Sequence, residues 1–418
     1  MFQSPKSGIK LLALVLMLSM LLTGCSLLPT TVSDTLDDPV ATDEPSDTVT
    51  ISREEYERLK QFEELDELKQ IVEKTFYKEP DEEAMLDGAM AGLLYGLDDP
   101  YTFYYTPENY STMWEDDAGE YAGVGIQIMR DYSTGVCTIS RVFLNSPALE
   151  VGLLKGDILY KVDDLMVNAT NLDEAVAIMR GGEGETVNVS VYRGDRQLDF
   201  VIARAVIHVN WVNSCMLPGD VGYISLYEFS GDCSSAFQTQ LDALIAEGAK
   251  SLVIDLRDNP GGWVDDAAKV ADIFLPEGLV ATLKYRDGTT QTYNTTKGQL
   301  DIPLTVLVNE NSASASEILS GALQDLGRAT IVGVKTYGKG VVQYVLSVGS
   351  RGAGMQITVA QYFTPNGNPV HEIGITPDVI AEWPEGDATM YDLGDLNDSQ
   401  LKAAYDVALK AISDASAK

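Results

Sequence analysis

Basic residues are scarce in this chain of 418 residues: 29 Lys and Arg stand against 63 Asp and Glu, a formal charge of −34. That argues against nucleic-acid binding, because no cationic excess exists to neutralise phosphates, and it implies a self-repelling, soluble surface. Histidine is scarcer still, with only His208 and His371. Neither has a neighbouring acid in a suggestive pattern, and no G-x-S-x-G elbow occurs. A Ser-His-Asp triad would have to be assembled from distant parts. The four cysteines have no metal-ligand spacing, so no metal site is expected. No apolar run reaches the roughly 20 residues of a membrane-spanning helix.

The longest such run, "LLALVLMLSMLL", follows Lys6 and Lys10 and leads into "LTGC". This order reads as a secretory signal over residues 1–24. Its end resembles a bacterial lipobox, with cleavage before Cys25 and a lipid on its sulfur, which implies an extracytoplasmic protein anchored to the cell membrane. Residues 25–50 are rich in Thr, Asp, Pro and Ser with no apolar period, the composition of a disordered tether. Cys137, Cys215 and Cys233 then remain, an odd number that cannot pair fully within one chain. Cys215 and Cys233 are a candidate bridge; burial as free thiols is the alternative.

Residues 51–118 read as a helical region. Leu59, Phe62, Leu65, Leu68 and Val72 recur at three- and four-residue steps, an amphipathic helix. Asp81 can cap a second helix carrying Met85, Ala89, Met90, Leu93 and Leu97. These stripes are core or a dimer contact.

Residues 119–204 open on "YAGVGIQI". A strand, a short helix at "SPALEVG", a strand, a helix over Asn171–Arg180 and a final strand follow. This order resembles a PDZ domain in its circularly permuted bacterial form. Backbone N–H groups of the Gly-rich turn Gly123, Val124, Gly125 and Ile126 form a candidate nest for a peptide carboxylate. Residues 205–385 alternate apolar strands ("DVGYISLYEF", "SLVIDLRDN", "LTVLVN", "ATIVGV") with helices, the pattern of a largely parallel layered sheet. Ligands in such folds sit at the carboxyl ends of the strands, where "RDNPGGW" and "NENSASASE" both fall. Residues 386–418 end in a helix, Ser399–Ser413.

"NENSASASEI" poses a choice between a cap and a nucleophile. Ser314 and Glu317 are spaced as a capping box, which alone explains a helix start. A helix N-terminus, however, also presents free N–H groups and partial positive charge, so a serine there sits beside donors able to hold an oxyanion. Gly261 and Gly262 in "NPGG" offer a second donor loop. The serine needs a base, and lysine serves on convergent sites. An ordinary lysine titrates near 10.4, so neutrality near pH 7 costs about 4 kcal/mol, which burial among apolar neighbours can supply. Lys339 in "YGKGVVQYVL" has such neighbours. On a strand, positions 339, 341 and 343 would share one face, so Gln343 is expected beside the amine. Gly333, Gly338 and Lys339 also match the start of a phosphate loop, but Gly340 stands where its Ser or Thr belongs.

Taken in order, the PDZ-like segment, "LVIDLRDNPGG", "NENSASASEILSGALQD", "GVKTYGKGVVQ" and "YFTPNGNPVHEIGITPD" resemble the carboxyl-terminal processing peptidases, or tail-specific proteases. The resemblance implies a multidomain α/β protein with a protease core of the crotonase/Clp-protease-like kind. It implies Ser314 as nucleophile, Lys339 as base, Gln343 as the orienting amide, and an oxyanion hole from the backbone of Ala315, Gly261 and Gly262. The expected activity is serine endopeptidase cleavage of exported proteins recognised by their C-termini, without metal, nucleotide or other cofactor. Homodimerisation through the terminal helices is a further expectation. An inactive tail-binding scaffold and a small-ester hydrolase are the competing functions.

Overall fold

In the computed structural model of the chain, the described residues are 49–416, except 132–133, 297, 299 and 385–390. The signal segment, Cys25 and nearly all of the tether lie outside them. Two compact units divide at Pro80.

The first unit carries α1 (Arg53–Lys60) and α2 (Glu63–Thr75). The single amphipathic helix expected here is interrupted at Gln61–Phe62. The Phe62 N–H turns back to the Leu59 carbonyl at 3.0 Å, and α2 restarts from Phe62 with no side-chain cap. Leu59, Phe62, Leu65 and Leu68 remain about half exposed.

The second unit starts with α3 (Glu82–Tyr95), capped as expected by Asp81, whose Oδ1 accepts the Ala84 N–H at 3.0 Å. Next come β1 (Phe103–Tyr105) and α4 (Pro107–Ala118), which ends on Gly119 in the left-handed region. A two-stranded ribbon, β2 (Glu120–Gly123) with β9 (Ala205–His208), brackets a module with its own apolar core. Its sheet joins β3 (Ile126–Arg130), β4 (Cys137–Val142), β5 (Ile158–Val162), β7 (Thr186–Arg193) and β8 (Arg196–Ala203), with the short β6 (Leu165–Met166) on β5. The helices α5 (Pro147–Val151) and α6 (Leu172–Met179) fall where "SPALEVG" and the 171–180 segment predict them.

The larger part of this unit is a layered α/β body. A six-stranded sheet runs β10 (Val212–Leu217), β11 (Val221–Leu226), β12 (Ser251–Asp255), β15 (Leu304–Val308), β16 (Ala329–Gly333), β19 (Val379–Ile380), parallel except for β10. Strands β11, β12 and β15 are buried along their whole length, which is why they read as unbroken apolar runs. The helices α7 (Cys233–Glu247), α8 (Val264–Phe274) and α9 (Ala315–Asp325) share one core with one set of strand residues. The other set packs on α10 (Ser399–Ser416) through Leu401, Ala404, Tyr405 and Ala408.

A second, antiparallel sheet was not legible in the sequence. It joins β1, β18 (Ala353–Phe363), β13 (Gly278–Tyr285) and β14 (Thr290–Thr295), with β17 (Val341–Val348) also on β18. Cys137, Cys215 and Cys233 are all free thiols, which decides against the Cys215–Cys233 bridge. Among the described residues no helix is long and apolar enough to cross a membrane, and no His, Cys, Asp and Glu cluster is arranged to hold a metal ion.

Candidate active site

The three serines ahead of α9 have different fates. Ser312 Oγ donates to the Leu256 carbonyl at 2.7 Å, and Ser316 Oγ donates to the Asn259 carbonyl at 3.0 Å. Both are wholly buried and staple the chain to the loop after β12. Ser314 instead lines a cleft of about 670 Å³ together with Lys339, Gln343, Gly262, Trp263 and Glu228.

Ser314 has φ 52° and ψ −114°, a strained region for a residue with a side chain and one that costs about 1–3 kcal/mol. The sequence has no glycine-flanked elbow, yet the backbone makes an equally sharp turn. Hydrogen bonds at both ends of the residue hold it. The Ser314 N–H donates to Glu317 Oε2 at 2.9 Å, and the Ser314 carbonyl accepts the Glu317 and Ile318 N–H groups at 2.9 Å each.

Glu317 does more than cap. Its side chain is wholly buried. Oε1 accepts from Thr336 Oγ1 at 2.6 Å and from the Gly338 N–H at 2.7 Å, and Oε2 accepts the Lys339 N–H at 2.9 Å. The loop that imitates a phosphate cradle does bind an anion with its N–H groups, but that anion is the carboxylate of Glu317. Burial pushes the Glu317 carboxyl up, against the hydrogen bonds from Thr336, Gly338, Ser314 and Lys339.

Gly261 and Gly262 lie beside Ser314 with φ of 110° and 123°. A Cβ on Gly261 would stand 2.7 Å from the Ser314 Cβ, and one on Gly262 would stand 2.3 Å from the Phe229 carbonyl oxygen. Only glycine fits both places. The expected donor set needs one correction. The Gly261 N–H is bonded to Asn259 Oδ1 at 2.9 Å, and Asn259 is fixed in turn through its amide to the Leu226 carbonyl. Gly261 therefore shapes the loop, while the N–H groups of Gly262 and Ala315 have no acceptor among the described residues.

Lys339 sits just before β17, half-buried, with its Nζ 4.9 Å from the centre of the Tyr101 ring. Desolvation lowers its pKa, opposed by the charges of Asp99 and Glu317. Among the described residues no carboxylate lies within ion-pair distance of the amine, whose nearest acidic influences are the charges of Asp99 and Glu317. Burial, then the hydrogen bond with Tyr337, pushes the Tyr101 phenol up to about 12. The expected common strand face of 339, 341 and 343 is not observed. The register with β18 shifts at this point, because β18 carries an extra unpaired residue, Val359, opposite Val342 and Gln343; Val342, Gln343 and Val345 line the cleft while Val341 is buried, and a bulge in the partner strand distorts the local ladder in this way. Gln343 Nε2 donates to Thr358 Oγ1 at 3.1 Å. It makes no hydrogen bond to Lys339, nor does Ser314 Oγ. Neither histidine lines the cleft; His208 is exposed beside Glu120.

Sequence reading missed the opposite wall, built by β1 and α4. There Trp114 stacks on Trp263, with ring centres 6.0 Å apart, and Trp263 Nε1 donates to Asp117 Oδ1 at 2.6 Å. In the smaller module, Gly123 ends β2, Ile126 begins β3, and Val124 is buried. The carbonyls of Val124 and Gly125 accept from Ala148 and Phe143 at 2.9 and 3.0 Å, which fixes the turn next to α5.

Three family descriptions match the chain: activating protease CtpB N-terminal domain over residues 32–109, PDZ domain over 122–203, and peptidase family S41 over 220–381. The carboxy-terminal-processing protease of Bartonella bacilliformis is 36% identical over 314 residues, which cover 73% of this chain and 71% of that one. The carboxyl-terminal-processing protease of a Synechocystis species is 38% identical over 304 residues, 71% of each chain. Among solved structures, the photosystem II D1 C-terminal processing protease superposes with a TM-score of 0.55 at 28% identity, over 86% of this chain and 99% of that one. The fold and these matches define a serine-type peptidase carrying a PDZ domain. The chain belongs to the carboxyl-terminal-processing proteases of peptidase family S41.

Proposed function

We propose that the chain cleaves exported proteins at sites reached through their C-termini, with Ser314 as nucleophile and Lys339 as base. One observation carries this reading. Of the three clustered serines, only Ser314 faces the cleft, and the same cleft holds a lysine whose amine is desolvated and unpaired.

The neutral amine of Lys339 takes the proton of the Ser314 hydroxyl as Oγ bonds to the scissile carbonyl carbon. The oxyanion is held by the N–H groups of Gly262 and Ala315. The C–N bond then breaks, and the Lys339 ammonium returns its proton to the leaving amine. Water attacks the resulting ester while Lys339 accepts its proton; the C–Oγ bond then breaks and the Lys339 ammonium returns that proton to Ser314 Oγ, which restores the hydroxyl and the neutral amine. Gln343 orients the amine. The hydroxyl and amine are apart in the free protein, so they close on substrate, as catalytic hydrogen bonds commonly do.

The PDZ domain, bounded at 119–204, captures the substrate's terminal carboxylate at Gly123, Val124, Gly125 and Ile126. The protease core spans 205–385, flanked by the helical regions 51–118 and 386–418. A lipid on Cys25 and the tether after it hold the enzyme outside the cytoplasm on the membrane. The half-exposed apolar residues of α1 and α2 are the candidate dimer contact.

The test incubates candidate exported proteins with wild type, Ser314→Ala and Lys339→Ala and reads their C-termini by mass spectrometry. Trimming by wild type alone is expected. Undiminished trimming by Ser314→Ala overturns the assignment.

A further inference from the structure

Three carboxylates line the cleft that holds Ser314: Asp116, Asp117 and Glu228. Two of them are committed. Asp116 pairs with the Arg180 guanidinium, and Asp117 accepts the Trp263 indole N–H at 2.6 Å. Glu228 has a neutral partner, the Ser230 hydroxyl, which donates to its Oε1 at 3.1 Å. Among the described residues no cation offsets it, and the charges that reach it, those of Asp117 and Asp116, are both negative. Burial pushes the Glu228 carboxyl up against the bond from Ser230, and the two aspartates add to the rise.

The backbone fixes where this carboxylate points. Glu228 follows β11, at the carboxyl end of a parallel strand, where ligands of such sheets sit. The next residue, Phe229, is wholly buried and pairs with Gly262. Its N–H donates to the Gly261 carbonyl at 2.7 Å, and its carbonyl accepts the Trp263 N–H at 2.8 Å. Successive side chains of an extended segment point to opposite sides. With Phe229 anchored in the core, Glu228 and Ser230 both face the cleft. The carboxylate is thereby tied to the loop that carries the Gly262 N–H.

Indole rings complete the surroundings. Trp211, which lies against Gly231, and Trp263 line the cleft together with Glu228. Aromatic rings attract cations, and the aliphatic stem of a Lys or Arg packs on apolar surface.

We propose that Glu228 is a specificity-determining residue of the cleft, which takes the cationic side chain of a Lys or Arg near the scissile bond of the substrate. This rests on the Ser314–Lys339 reading above. A desolvated carboxylate without a partner is costly. An incoming cation removes that cost, whereas an uncharged chain of the same length leaves it in place. An acidic side chain at the same position meets three carboxylates and is rejected.

The test measures kcat/KM on N-acetylated peptides that carry Lys, Arg, norleucine or Glu at each position flanking the scissile bond in turn. Acetylation removes the α-amine as a rival cation. At one position Lys or Arg is expected to be cleaved about tenfold faster than norleucine, the scale of one charge-assisted hydrogen bond, with Glu slower still. Glu228→Gln keeps the size of the side chain and an acceptor for Ser230. It is expected to bring the Lys-to-norleucine ratio to within about twofold of unity. Both peptides meet the same enzyme, so the ratio does not register a general loss of folded protein. The assignment is overturned if wild type cleaves the Lys, Arg and norleucine peptides equally at every position, or if Glu228→Gln keeps the preference. Either of those results, with cleavage abolished in Ser314→Ala and Lys339→Ala, removes the role of Glu228 alone. Retained cleavage in those two variants removes the Ser314–Lys339 assignment itself.

Discussion

Glu317 joins Ser314 to Lys339 through the main chain: its Oε2 accepts the N–H of both residues at 2.9 Å. The serine turn and the lysine turn come from different stretches of the chain, and this one oxygen sets their spacing. Replacing the carboxylate by an amide puts NH2 against N–H groups and strands at least one buried donor, at about 1–3 kcal/mol each. Glu317→Gln is therefore expected to lower the melting temperature by several degrees and kcat by about a hundredfold or more. Calorimetry with single-turnover cleavage checks both. Wild-type kcat in a Glu317→Gln enzyme would show that the spacing is held by something else.

The pH profile follows from Lys339. Only the neutral amine accepts a proton, so kcat rises with pH through the lysine's pKa. Desolvation lowers that pKa below the ordinary lysine range, against the opposing pull of Asp99 and Glu317. The rise should thus end at lower pH than a free lysine would allow, with a slope of one proton. A limb at the ordinary lysine value, read from kcat across pH with a short peptide, would place the amine in water.

Gly262 is expected to tolerate no side chain. Its φ of 123° is costly for other residues, and an added Cβ would stand 2.3 Å from the Phe229 carbonyl oxygen. Relief requires the loop to move, and with it an N–H assigned to the oxyanion. Gly262→Ala should reduce kcat about 10²–10³-fold with KM little changed, the scale seen when one oxyanion donor is lost.

Legibility in the sequence followed the range of the interactions. Strands β11, β12 and β15 are buried on both faces, and their apolar runs announced them. Ser314, Lys339 and the glycine loop sit in local motifs whose spacing carries meaning. The hairpin of β13 and β14 was missed because "TQTYNT" is largely exposed and polar and so shows no alternation. The bulge at Val359 in β18, opposite Val342 and Gln343, leaves no mark in the sequence of β17, whose cleft-facing residues it helps to set. Glu317 was explained by its capping position, which hid its bonds to Gly338 and Lys339. Thr102 and Thr358 meet only because β1 pairs with β18, a register the sequence does not display.

Arg257 ties the donor loop to the C-terminal helix. Its guanidinium lies 2.7 Å from both Asp255 and Asp398, and all three side chains are largely buried. Asp255 also accepts from Tyr223 at 2.7 Å, and Asp398 accepts the Gln400 and Leu401 N–H groups that start α10, at 3.0 Å each. Arg257→Met keeps volume but leaves two buried carboxylates without their cation, a loss of about 3–5 kcal/mol. The chain from Arg257 leads directly to Asn259 and Gly262, so the damage should reach the cleft as well as the helix. Urea unfolding should show an earlier midpoint, limited proteolysis should cut nearer α10, and kcat should fall. A variant that unfolds earlier yet keeps full kcat would mean that the donor loop is held by Asn259 and Ser316 alone.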